Sequence, residues 1–170
     1  MKRLLSFFPL SIIIIAYASL LSCSKDDDPG YKGTWQFSET LVSDGLTYNT
    51  IRTIILERKS WEETYLIRRE NSETLTAIIG TRGKLGTVRS HLVFYLEELG
   101  TCKLNENEFC TEETEWHGEG SVYWTNNIRY FSTTVESEYE LTETTLRLVR
   151  DLNDDGDTED TGEDVTFQLI

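Results

Sequence analysis

Trp61-Glu62-Glu63-Thr64-Tyr65-Leu66-Ile67-Arg68 is the stretch whose reading decides the fold class. Trp61, Glu63, Tyr65 and Ile67 fall on one side of an extended chain and Glu62, Thr64, Leu66 and Arg68 on the other. That period of two belongs to a strand with one face turned to a core. Leu92, Phe94 and Leu96 alternate in the same way with His91, Val93, Tyr95 and Glu97. Other β-branched and aromatic runs, bounded by Gly, Asn, Asp and Ser, predict strands at 34–41, 50–58, 74–79, 115–125, 128–134, 138–141, 145–150 and 164–170. Gly80, Gly83 and Gly86 read as turns between two of them. No long helical period occurs after Tyr31. About eight to ten strands joined by short loops predict a single all-β domain, an antiparallel barrel or, as the alternative, a β-sandwich.

The amino end has a different character. Met1, Lys2 and Arg3 precede an uncharged, apolar stretch over residues 4–21, the order of a helical secretion signal removed from the mature chain. Leu20-Leu21-Ser22-Cys23 resembles a lipobox, which implies cleavage after residue 22 and a diacylglycerol on the Cys23 thiol. One acyl chain leaves a membrane readily, and the several chains of a lipoprotein hold it there. Ser24-Lys25-Asp26-Asp27-Asp28-Pro29-Gly30 buries nothing, so residues 23–32 read as a lipidated, acidic tether and residues 33–170 as the β domain. The acidic run resembles the tag that, in one large Gram-negative phylum, sends lipoproteins to the outer face of the outer membrane. The implied address is the outer membrane, with the lipid as the membrane contact and the domain exposed at the surface.

The chain carries a net charge of −14, and without residues 1–22 the value falls to about −16. Such a surface repels phosphate backbones, which argues against nucleic acid as a partner. In an oxidising compartment Cys102 and Cys110 form an even pair once Cys23 is lipidated, and they read as a disulfide closing the polar loop 103–109. A thiol metal site would need further Cys or His close by, and none is present.

Gly33-Thr34-Trp35 opens the β domain directly after the tether. With the meander-like strand pattern behind it, the chain resembles the lipocalin-like domains of small bacterial lipoproteins, whose first strand begins Gly-x-Trp. The resemblance implies a monomeric barrel whose floor is plugged by Trp35. It also implies a non-enzymatic role, either binding a small hydrophobic or glycan ligand or serving as a surface scaffold. Trp116, Val122 and Trp124 share one strand parity, with Gly118 and Gly120 leaving space on that face. Trp35, Trp116 and Trp124 are therefore the expected ligand contacts, with a filled aromatic core as the competing reading. Two other functions stand beside this one. An interaction module with a filled interior would hold a protein or glycan on an outer face, and a surface hydrolase would need a cleft with shifted carboxylates.

Residues 151–164, Asp-Leu-Asn-Asp-Asp-Gly-Asp-Thr-Glu-Asp-Thr-Gly-Glu-Asp, lie between two strands. Oxygens at the first, third and fifth places followed by glycine are how a Ca²⁺ loop gathers hard ligands. Asp151, Asn153, Asp155, Asp157, Asp160 and Glu163 are the expected ligands of a structural calcium ion, the competing reading being a solvated acidic turn. His91 and His117 are the only histidines, and His117 with Glu119 would share one side of a strand. No nucleophile elbow, phosphate loop or dinucleotide fingerprint appears.

Overall fold

A computed structural model of the protein describes residues 29–72, 74–152, 155–160 and 162–170. The expected signal segment and the expected lipidation position, Cys23, lie outside these residues, as do Asn153, Asp154 and Thr161 of the acidic loop. Among the described residues, no helix is long and apolar enough to cross a membrane.

Among the described residues nine strands form the domain: β1 (Gly33–Ser43), β2 (Leu46–Leu56), β3 (Ser60–Arg69), β4 (Leu75–Val88), β5 (His91–Leu104), β6 (Cys110–Gly118), β7 (Thr134–Leu141), β8 (Thr145–Arg150) and β9 (Asp164–Leu169). A short helix, α1 (Val122–Asn127), and a 3-10 turn, Ile128–Tyr130, separate β6 from β7. All pairings are antiparallel. Each of β1 to β5 pairs with the next, β5 pairs with β7, and β9 returns to β1 through Trp35↔Leu169. Eight strands therefore close a lipocalin-like barrel, and β6 is an extra strand on the upper half of β5. Closure removes the open edges that a sheet of this size would otherwise present.

The inward row predicted for β3 holds: Trp61 and Glu63 are buried and Tyr65 is half-buried. Trp35 is 2% exposed, and its indole Nε1 donates to the Tyr31 carbonyl at 2.9 Å. Around it Ile54, Leu56, Leu85, Leu92, Leu146, Leu148 and Phe167 fill one end of the barrel. Burying such side chains contributes roughly 1.5–3 kcal/mol each, so this end carries most of the fold's cohesion. Tyr31, expected in the tether, is buried against Tyr139 with ring centroids 6.0 Å apart. The domain thus begins two residues earlier than its sequence boundary, because an aromatic ring is needed to cover the Trp35 end.

Three strand expectations are corrected. Gly80, Gly83 and Gly86 lie inside the 14-residue strand β4 and are not turns. At the Arg82/Gly83 bulge a side chain on Gly83 would meet the Tyr95 carbonyl at 2.0 Å, so the strand can pair there only without a Cβ. Residues 122–125 are helical, because the Ser121 hydroxyl caps α1 by accepting from the Trp124 N–H at 3.1 Å. The strand expected at 128–134 is instead the 3-10 turn and a connector into β7. The disulfide Cys102–Cys110 forms, with Cα atoms 5.3 Å apart, and packs with Leu75, Ile78 and Leu66 as a second, smaller apolar cluster.

Candidate functional site

The strands are unequal: β1 to β5 run for 10–14 residues, while β8 and β9 run for 6 each. Core side chains fill the barrel at the Trp35 end, where all eight strands overlap. Beyond them lies a cavity of about 260 Å³. Its walls come from β2, β3, β4, β5, β7 and β8, together with Tyr130, Phe131, Ser132 and Leu152. The connector after α1 and the start of the acidic loop therefore complete a wall that short strands leave unfinished. Tyr130 and Ile79, 67% and 43% exposed, stand at the mouth.

Nine of the fourteen lining residues are aromatic or aliphatic, Trp61, Phe94, Leu96 and Val135 among them. Trp61 and Phe94 meet edge to face at 5.2 Å. The other five are Thr81, Ser132 and a buried cluster of three charges, Arg52 on β2, Glu63 on β3 and Arg150 on β8. Arg150 Nη1 donates to Glu63 Oε2 at 3.0 Å and Nη2 to Oε1 at 3.1 Å. Arg52 Nε also donates to Glu63 Oε1, and its Nη1 donates to the Gly162 carbonyl at 2.8 Å. Each guanidinium is backed by rings: Arg52 lies 4.8 Å from the Tyr65 centroid, and Arg150 lies 5.4 Å from that of Phe94.

Burial alone would push the Glu63 carboxyl up, but the Arg150 and Arg52 guanidiniums more than offset it and bring it from 4.5 to about 2. Burial raises the Tyr65 hydroxyl, so the phenol stays protonated. Arg150 Nε is buried with no hydrogen-bond partner among the described residues.

The three expected tryptophans are not brought together. Trp35 seals the closed end and does not line the cavity. Trp116 lies on the outer face of the barrel, across Gly80 and Gly100, whose missing side chains would stand 2.9 Å from its ring. Arg82 covers it at 4.4 Å from the ring centroid. Trp124 is half-buried on α1 and does not line the cavity either. His117 stacks on Tyr123 of α1 at 4.5 Å, while Glu119 is exposed beyond the end of β6, so the two do not form a pair.

The acidic loop is organised from within. Glu163, 2% exposed, accepts the Leu152 N–H at 2.7 Å through Oε1 and the Asp160 N–H at 3.2 Å through Oε2. Asp151 accepts from the Gly156 N–H across the loop, while Asp155 accepts from Asp157 and Asp157 from Glu159, as in short Asx turns. Asn153 lies outside the described residues, and among those described no group of three acidic, His or Cys side chains is placed to hold a metal ion.

Sequence reasoning missed Arg52, Glu63 and Arg150 as site residues. The available signal was a charge standing in each of three inward rows: Thr50-x-Arg52-x-Ile54, Trp61-x-Glu63-x-Tyr65 and Leu146-x-Leu148-x-Arg150. No protein-family model and no curated protein sequence matches the chain.

Proposed function

We propose that the protein is a non-enzymatic, lipid-anchored barrel that binds a small, largely apolar molecule at the outer membrane. The observation that carries this reading is the half-filled interior, a cavity of about 260 Å³ with an aromatic and aliphatic wall and an open mouth. A filled core would have favoured the interaction-module reading, and the wall favours a hydrophobic ligand over a glycan. Against a hydrolase stands the chemistry of Glu63, among the described residues the only carboxylate that lines the cavity. Two guanidiniums hold it ionised with a depressed pKa, which makes it a poor general acid and a weak base. The anchor rests on the lipobox-like Leu20-Leu21-Ser22-Cys23 alone.

Two measurements test the reading. Purified protein is titrated with 1-aminoanthracene, a neutral fluorescent probe, alongside a Val135→Trp variant whose larger ring fills the cavity. Saturable binding by the parent and its loss in the variant are expected; equal binding by both would remove the cavity from the account. Metabolic labelling with a palmitate analogue is expected to mark the parent and not a Cys23→Ala variant.

A further inference from the structure

The buried charges match in number, Arg52 and Arg150 against Glu63 and Glu163, but not in contact. Glu63 is engaged by both Arg150 and Arg52, whereas Glu163 spends its carboxylate oxygens on the Leu152 and Asp160 N–H groups, so the residues lining the cavity carry two guanidiniums against one carboxylate. Glu39 on β1 acts on Arg52 only through space and does not line the cavity. Arg150 is 2% exposed and uses both terminal nitrogens on Glu63, while its Nε–H, buried beside the cavity, has no acceptor among the described residues. A buried guanidinium N–H without an acceptor is unfavourable, and a ligand oxygen would supply the missing bond, most strongly where that oxygen is anionic.

We infer that the ligand of this cavity is a single-chain amphiphile with an acid head group, a carboxylate or a phosphate monoester. One head-group oxygen accepts from Arg150 Nε, and the chain lies along Trp61, Phe94, Leu96 and Val135. The inference rests on the ligand-binding reading above. A volume of about 260 Å³ falls just below the ~300–1,000 Å³ usual for drug-sized ligands, which suits one medium-length chain and not a two-chain lipid. The net charge of −14 opposes the approach of an anion from afar, but salt screens that repulsion over about 8 Å, whereas the buried guanidinium is screened far less.

The test compares four ten-carbon probes, decanoate, decyl phosphate, decanol and decyltrimethylammonium, as displacers of 1-aminoanthracene from the purified protein. At least one of the two acids is expected to bind tenfold or more tighter than decanol, and the tighter acid identifies the head group. Decyltrimethylammonium is expected not to displace the probe. Arg150→Lys keeps the charge and removes the Nε donor, so the preference for the acid over decanol should fall about tenfold. Should Arg150→Lys fail to fold, the four probes on the parent protein still decide. Equal binding of acid and alcohol, abolished together by Val135→Trp, would overturn the acid head group and leave the cavity reading intact. No displacement by any probe, with Val135→Trp binding aminoanthracene as the parent does, would overturn both.

Discussion

Arg150 meets Glu63 end-on inside the barrel, with its two terminal nitrogens 3.0 and 3.1 Å from the two carboxylate oxygens. The residues lie 87 positions apart, on strands that do not pair with each other. The contact therefore spans the interior, and Arg52 joins it from β2. Removing one member of a buried ionic cluster leaves an uncompensated charge, a loss of about 3–5 kcal/mol. Glu63→Ala should lower the free energy of unfolding in urea by that amount. The triple replacement Arg52→Met, Glu63→Leu, Arg150→Leu should recover most of it, because an apolar cluster of similar volume leaves no stranded charge.

Acid should act on the same cluster. Folding lowers the Glu63 carboxyl from 4.5 to about 2, so the folded chain holds this group ionised where the unfolded chain would protonate it. A depressed carboxyl stabilises fully above the unfolded value and loses that contribution as pH falls toward the folded one. Its contribution, roughly 3 kcal/mol from the size of the shift, should be complete at neutral pH and decline between about 4.5 and 2. Urea unfolding at stepped pH should show this decline in the parent protein. A Glu63→Gln variant, already destabilised at neutral pH, should show a shallower slope over the same window.

The fold was legible because strand period survives burial. Trp61, Glu63, Tyr65 and Ile67 predicted a β3 with one inward face, and Leu92, Phe94 and Leu96 predicted β5, since alternation is a local property of the chain. The helix at Val122–Asn127 was not legible from alternation, because Trp116 and Trp124 keep the right parity by chance across the Gly118–Gly120 break. Gly80, Gly83 and Gly86 looked like turns because local rules treat glycine as punctuation. The close approach of the Trp116 ring to Gly80, of the Tyr95 carbonyl to Gly83 and of the Tyr95 ring to Gly86 explains them, and each partner comes from another strand. The site was the least legible part. Arg52, Glu63 and Arg150 each look like a lone charge in an apolar row, and nothing short of barrel closure shows that three such rows converge.

The disulfide should matter for stability and not for binding. Cys102 and Cys110 close a sequence separation of 8 and sit in the small cluster with Leu75 and Ile78, and neither lines the cavity. Chain-entropy arguments give a loop of this length about 2–3 kcal/mol. The double variant Cys102→Ala, Cys110→Ala should therefore lose about that much in urea unfolding. Its affinity for 1-aminoanthracene should match the parent's, and a parallel loss of affinity would mean that the β5–β6 end is coupled to the cavity.

Glu163 gives the acidic loop its order by a route that competes with metal binding. Its buried carboxylate accepts the Leu152 and Asp160 N–H groups, so a calcium ion using Glu163 as its chelating end would draw those oxygens away from both. Leaving two part-buried donors without these acceptors costs up to about 1–3 kcal/mol for each. Glu163→Ala should destabilise the fold in chelator and in millimolar calcium alike, and calcium should leave the parent's unfolding midpoint unchanged. A midpoint that rises with calcium in the parent and not in Asp155→Ala would show instead that the loop exchanges these internal bonds for metal ligation. Leu152 lines the cavity from the first turn of the same loop, so Glu163→Ala should also weaken 1-aminoanthracene binding, even where the barrel stays folded.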